Sequence, residues 1–358
     1  MSVTQRCILK QILIVKLSSL GDVVHTLPCI ADIRSAYPDA QIDWVVERGF
    51  APLLAKVNGL RRVIACDLRT WSKAWLSGAT RSAWKAFKTD LQFNAYDAVI
   101  DLQGLTKSAV IARTARLAAG GRRFAMANRT DGSGYEAPTR WLADCAITLP
   151  RHIHAVDRGR MLCAAALQYQ TPTFTNYSFN FSVIPSYSTT KNIVFIHGSS
   201  RDDKGWPLTH WVALGKHLVR QGFSIVLPQS NRQEEAQAHR IAAQLGGNAT
   251  VLPRMGLDAL VDVFAPCMGA IGVDSGLSHI AVGLDLPHVQ LYNFDTAWRT
   301  GPQSHASNGS ARQSSVFAQP TPSLAQVVAA WDAVVDAIAR QAVADKVAPV
   351  ASAEHTAP

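Results

Sequence analysis

Three stretches of this 358-residue chain place carboxylate, hydroxyl, glycine and lysine groups where a β-branched run gives way to a helical pattern. In Ile14-Val15-Lys16-Leu17-Ser18-Ser19-Leu20-Gly21-Asp22 an apolar strand enters a turn of small residues and then a helix starting near Asp22. Asp22 thus stands at the carboxyl end of a strand, where ligands of open α/β sheets bind. It either takes a proton from an incoming hydroxyl or simply favours a helix N-terminus, a role Asp often fills.

Ile196-His197-Gly198-Ser199-Ser200 leads through Arg201-Asp202-Asp203-Lys204-Gly205-Trp206-Pro207 into another helical pattern. Two hydroxyls (Ser199, Ser200), a glycine backbone and the Lys204 ammonium are what a pyrophosphate requires for hydrogen bonds and charge neutralisation. The alternative is a solvated loop before a helix-starting proline. Val273-Asp274-Ser275-Gly276-Leu277-Ser278-His279 repeats the theme. Gly276 permits close backbone approach, and the N–H groups of the new helix face the same anion. Between these turns, Glu234 and Glu235 follow Pro228-Gln229-Ser230-Asn231; a carboxylate there either takes the two hydroxyls of a ribose or is an exposed first-turn residue.

The turn before Asp22 lacks three spaced glycines, so the dinucleotide fingerprint of nicotinamide oxidoreductases is missing. The chain also contains no Asp-x-Asp pair for a metal bridging a nucleotide diphosphate, which leaves neutralisation to Lys204 and helix dipoles. A nucleotide- or nucleic-acid-binding module would explain the phosphate-type turns but gives Asp22 no role.

Positioning these groups requires β-α units. Strands are expected at Ile12–Val15, Ile42–Val46, Arg62–Ile64 and Ala98–Ile100, with a long helix from about Lys73 to Phe93 and another from His154 to Leu167. After a polar segment the pattern restarts with strands at Asn192–Ile196, Ser224–Leu227, Ala249–Leu252, Gly269–Val273 and His288–Leu291. The reading is α/β, two Rossmann-like domains facing each other across a cleft: residues 1–172, a linker over 173–191, a second domain over 192–322, a C-terminal helix over 323–344 and a disordered tail over 345–358.

A length of 358 residues with 48% hydrophobic and 17% charged residues suits two globular cores. The first residues lack a signal-peptide layout and no window approaches roughly 18 unbroken apolar residues, so the expected location is cytoplasmic. The six cysteines are far apart with no C-x-x-C pair and are read as reduced thiols. A net charge of +9 favours an anionic partner. Much of it lies in a tract where Arg61, Arg62, Arg69, Lys73, Arg81, Lys85 and Lys88 interleave with Trp71, Trp75 and Trp84. That tract either meets a membrane surface or forms an amphipathic helix with its tryptophans in the core.

Lys16 to Pro28, Asp43-Trp44-Val45-Val46-Glu47, Tyr96 to Leu105, Arg201-Asp202-Asp203-Lys204 with Trp206-Pro207, and Val273 to His279 occur in an order that resembles the ADP-heptose glycosyltransferases of the lipopolysaccharide heptosyltransferase I type. The resemblance spans roughly Ile12 to Ala339. It implies the GT-B architecture and inverting transfer of heptose from ADP-L-glycero-β-D-manno-heptose to the first 3-deoxy-D-manno-octulosonic acid (Kdo) of Kdo-lipid A, with no cofactor and no essential metal. A monomer working peripherally on the cytoplasmic face of the inner membrane and binding no nucleic acid is also expected.

By the same resemblance Asp22 is the general base. Lys204, Ser199, Ser200, Ser275 and Gly276 hold the pyrophosphate, Glu234 the ribose and Asp274 the heptose hydroxyls, with His279 on the same helix start. Arg69, Lys73, Lys107 and Arg129 match basic residues for Kdo carboxylates and phosphates. Heptosyltransferase II is the neighbouring type; Asp43 to Glu47 and Asp202-Asp203-Lys204 favour type I. The chain departs from the family at Tyr292-Asn293-Phe294-Asp295-Thr296, where relatives carry a Tyr-Gly-Pro-Thr turn.

Overall fold

The computed structural model describes residues 10–180, 190–303 and 312–347. Two parallel six-stranded sheets form two lobes. The first holds β1 (Gln11–Val15), β2 (Gln41–Glu47), β3 (Leu60–Cys66), β4 (Tyr96–Asp101), β5 (Leu117–Met126) and β6 (Cys145–Ile147) in the order β3-β2-β1-β4-β5-β6. The second holds β7 (Asn192–Ile196), β8 (Ser224–Leu227), β9 (Ala249–Val251), β10 (Gly269–Val273), β11 (His288–Tyr292) and β12 (Gln313–Phe317) in the order β12-β11-β10-β7-β8-β9. Both are the doubly wound Rossmann order, in which the chain reverses direction between the first and fourth strands of the sheet. Those switch points, β1/β4 and β7/β10, are where the Asp22, Ser199–Lys204 and Asp274–Gly276 turns emerge.

The inner strands are apolar on both faces because helices cover both: Ile12, Leu13, Ile14 and Val15 are fully buried, as are Ile193, Val194 and Phe195. The lobes share one apolar cluster, which runs from Ile12 and Trp44 through Tyr177 and Phe179 to Val194 and Phe264. The 175–180 segment supplies that bridge, pairing Phe179 with Val57 and packing Tyr177 and Phe179 on Gly283.

A buried ion pair holds helix Pro28–Ala36 to helix Ala155–Leu167: Arg160 Nε and Nη2 donate to Asp32 at 2.7 and 3.0 Å, and Arg160 also donates to the carbonyls of Pro172 and Phe174. Asp32→Ala would strand this guanidinium in the interior, so it is expected to cost about 3–5 kcal/mol of stability, read as a lowered urea midpoint.

Several expectations are corrected. The helix expected over Lys73–Phe93 is shorter, Gly78–Leu91, because the Ser77 hydroxyl accepts from Thr80 N at 3.0 Å and caps its start; a separate short helix, Leu68–Trp71, precedes it. Trp71 is buried against Trp84 and Phe87, as the core reading of the tract expects, whereas Trp75 is 66% exposed. The helix near Asp22 starts two residues earlier and spans Leu20–Thr26. The C-terminal helix spans Leu324–Val347, beyond the expected residue 344, with Val327, Trp331 and Val334 buried on the second sheet. Strands β5, β6 and β12 were not expected. Cys29, Cys66, Cys145, Cys163 and Cys267 are free thiols; Cys7, linker residues 181–189 and tail residues 348–358 lie outside the described residues.

Candidate functional site

Asp22 is the third residue of the 20–26 helix, and its Oδ2 accepts from Ser19 N at 3.2 Å and Ser19 Oγ at 2.9 Å. This is the backward half of a capping box, so the helix-start reading of Asp22 is correct as far as Oδ2 goes. Oδ1 does something else: Lys16 Nζ lies 3.6 Å away and Arg158 Nη2 3.5 Å away, while the side chain keeps 36% of its surface. Burial pushes this carboxyl up, but the charges of Lys16 and Arg158 and the Ser19 hydrogen bonds outweigh it and bring it down to about 2. Asp22 is therefore ionised throughout the physiological range, the protonation state a base needs.

Beneath it, Lys16 is buried with Nζ donating to Leu102 O at 3.1 Å, and burial lowers its pKa against the pull of Asp22. The same cause pushes the fully buried Asp101 up to about 6, despite donation from Gln103 N, Gly104 N and Ser108 Oγ.

The second lobe presents the facing wall. Lys204 closes a short 3-10 turn, Asp202–Lys204, and its Nζ donates to Asp274 Oδ2 at 2.6 Å; His279 Nε2 lies 3.5 Å from Asp274 Oδ1. Burial alone would raise Asp274, yet His279 and Lys204 hold it well below the usual carboxylate range. Ser275 caps helix Gly276–Gly283, and its Oγ is buried with no hydrogen-bond partner. A helix N-terminus with an unpaired hydroxyl has the donors that an anion would take.

Asp22, Lys204, Ser200, Asp274, Ser275, Gly276 and His279 line one cavity of about 180 Å³ between the lobes. Two glycines let the walls approach: a Cβ on Gly21 would lie 2.7 Å from the His279 ring, and one on Gly276 would lie 2.6 Å from Leu20 Cγ. Glu234 does not line this cavity. Its carboxyl carbon is 2.6 Å from where a Gly198 Cβ would stand, and its Oε2 accepts from Ser230 N at 2.7 Å and Ser230 Oγ at 2.8 Å. Ser199 Oγ accepts from Arg201 N at 3.4 Å and does not line the cavity.

The four acceptor-side candidates lie outside the cavity lining. Arg69 and Lys107 gather around Glu47, which burial raises and these two charges pull back; the Arg69 guanidinium also lies 5.8 Å from the Phe50 ring centre. Lys73 is exposed on the 72–77 connection, and exposed Arg129 begins the loop that carries Gly132 to the cavity. The departing Tyr292–Thr296 turn also acquires a role: Asn293 Nδ2 donates to Asp203 O and Gly205 O, both at 2.9 Å, and so props the Lys204 turn from behind.

Lys16, His25, Arg158, Arg299 and Thr300 join the site without having been assigned to it. Lys16 stood within the quoted motif, but nothing local marks Arg158, whose partner Asp22 is 136 residues away. His25 packs its ring 4.1 Å from His279 of the other lobe.

The buried histidines set an expected pH response. Burial lowers His25, His197 and His288, the last to about 4, so the unfolded chain binds protons more readily than the folded one. Stability falls as pH drops below the unfolded value of about 6.5; Asp101, raised to about 6, offsets only part of this. Between pH 7 and 6 the net loss should be about 1–2 kcal/mol. A melting temperature that stays flat or rises over that interval, at matched ionic strength, would contradict it.

Residues 84–324 match the family model for glycosyltransferase family 9 (heptosyltransferase). The chain is 38% identical over 289 residues to Lipopolysaccharide heptosyltransferase 1 of Escherichia coli (strain K12), covering 79% of this chain and 87% of that protein. It is 37% identical over 290 residues to the protein of the same name from Pseudomonas aeruginosa, covering 79% and 78%. The solved structure of the E. coli heptosyltransferase WaaC with ADP superposes with a TM-score of 0.79 at 34% identity, covering 92% of this chain and 99% of that one. With two Rossmann-order sheets and a carboxylate facing a lysine, a free hydroxyl and a helix N-terminus across their cleft, the chain belongs to glycosyltransferase family 9, the heptosyltransferases.

Proposed function

We propose that the chain performs the heptosyltransferase I reaction, inverting transfer of heptose from ADP-L-glycero-β-D-manno-heptose to the first Kdo of Kdo-lipid A, as a monomer and without an essential metal. The observation that carries this reading is the placement of Asp22 and Lys204 on opposite walls of one cavity. Inversion requires the acceptor oxygen to attack the anomeric carbon from the face opposite the departing ADP, so base and leaving-group ligands must stand on opposite sides.

Asp22 Oδ1 takes the acceptor proton while Ser19 holds Oδ2. Its low pKa makes it a weak base toward a sugar hydroxyl, so transfer occurs only as the developing bond acidifies that proton. Lys204, Ser200, Ser275 and the start of the 276–283 helix receive the charge that accumulates on the diphosphate. Glu234 takes the ribose hydroxyls, and Asp274, oriented by Lys204 and His279, takes heptose hydroxyls.

Mass-spectrometric detection of one heptose added to Kdo-lipid A tests the assignment. Product formed only on an acceptor that already carries heptose would assign the type II reaction, and no product on either would end the reading.

The membrane contact has its own support. Trp75 and Leu76 are 66% and 82% exposed between basic Arg69 and Lys73 on one side and Arg81 and Lys85 on the other. Such a tip suits the cytoplasmic face of an anionic bilayer, where aromatic insertion and lysine or arginine attraction add. Trp75→Ser with Leu76→Ser is expected to weaken co-sedimentation with anionic vesicles by about tenfold, and unchanged binding would exclude this tip.

A further inference from the structure

Each carboxylate of the cavity already has a cation: Asp22 has Lys16 and Arg158, and Asp274 has Lys204. Arg299 also lines the cavity, yet it takes part in none of the ion pairs found among the described residues. Helix Ala297–Thr300 belongs to the second lobe but docks on the first. The Trp298 and His152 rings stack with centres 3.7 Å apart, His154 Nε2 meets Gly301 O at 3.0 Å, and Gln303 Nε2 donates to Asp157 at 2.9 Å. Gly132, at φ +69°, completes the seat, since a Cβ there would overlap the Arg299 guanidinium. Arg299 and Arg158 are close enough that the charge of Arg299 adds to the lowering that burial imposes on Arg158. Two guanidiniums, Arg158 and Arg299, line one cavity whose two carboxylates, Asp22 and Asp274, are already held by Lys16 with Arg158 and by Lys204, which leaves a positive field that an anion would relieve.

We infer that Arg299 is an acceptor-binding residue that takes the carboxylate of the sugar acid being glycosylated. This rests on the function proposed above. The guanidinium leans on Gly132 and acts on Arg158, both from the first lobe, and lines the same cavity as Asp22, whereas the diphosphate cradle of Lys204, Ser200 and Ser275 belongs to the second. A planar guanidinium takes a carboxylate in a two-point clamp, and Kdo carries its carboxylate on the same ring as the attacking hydroxyl. Holding the acid at Arg299 and the hydroxyl at Asp22 fixes that ring by two points, which converts binding into orientation. It also makes the acceptor site incomplete until both lobes meet.

The test compares wild type, Arg299→Gln and Arg299→Lys on a soluble Kdo acceptor and on its methyl ester, with ADP affinity measured by calorimetry. Wild type should prefer the acid by more than about tenfold. Arg299→Gln should raise the acceptor KM about tenfold or more and erase that preference, and Arg299→Lys should keep part of it. ADP affinity should stay within about twofold, which also shows that the variant is folded. An acid preference retained in Arg299→Gln, or an ADP affinity that falls about tenfold while that preference persists, would overturn the inference. Wild type that transfers to no Kdo acceptor would instead sink the proposed function.

Discussion

Asp22→Asn is expected to lower turnover by about 10²–10⁴-fold while ADP-heptose still binds. The substitution keeps the shape of the side chain but removes the proton-accepting charge at Oδ1, the oxygen turned toward Lys16 and Arg158. It also leaves buried Lys16 without its anion, so some stability is lost, and ADP calorimetry on the same sample separates a folded, inactive protein from a damaged one. Turnover above about a tenth of wild type would remove Asp22 from the base role. Its pKa of about 2 adds a second expectation: the acid limb of kcat/KM between pH 5 and 7 does not arise from this group. Removing the neighbouring charge with Lys16→Met should raise the Asp22 pKa and move acid inactivation to higher pH.

Lys204→Ala is expected to weaken ADP by about 10–100-fold and to depress kcat as well, because the ammonium meets the diphosphate in both the bound donor and the leaving group. The loss appears in both constants, unlike that of Asp22→Asn, which should appear in turnover alone. Lys204 also holds Asp274 at 2.6 Å, so its removal frees a buried carboxylate beside the diphosphate, and like-charge repulsion adds to the loss. Unchanged ADP affinity would show that Lys204 serves Asp274 and not the phosphates. Asn293→Ala, which removes the prop on the Asp203 and Gly205 carbonyls, should produce a smaller loss of the same kind.

Much of this site was legible because a strand, a small-residue turn and a helix start are contiguous in sequence. Apolar β1, β7 and β10 each end at such a turn, and Asp22, Lys204 and Asp274 follow directly. Parallel sheets raise these turns to one edge whatever the details of packing. The strands that escaped reading lack that local signal. Leu117–Met126 carries two glycines, two arginines and no β-branched residue, while β6 and β12 are sheet-edge strands. Pairing with a neighbouring strand, not intrinsic propensity, makes them strands.

The sequence by itself determined two α/β units, a carboxylate after the first strand and a lysine with phosphate-type turns after the seventh and tenth. Tertiary structure alone decided that Asp22 is flanked by Lys16 and Arg158, that His25 meets His279, and that the 297–300 helix returns Arg299 to the opposite lobe. The physical reason is distance along the chain. Hydrophobic periodicity and turn chemistry act over a few residues, whereas the charge environment of a group is a sum over whatever packing brings within several ångströms of it.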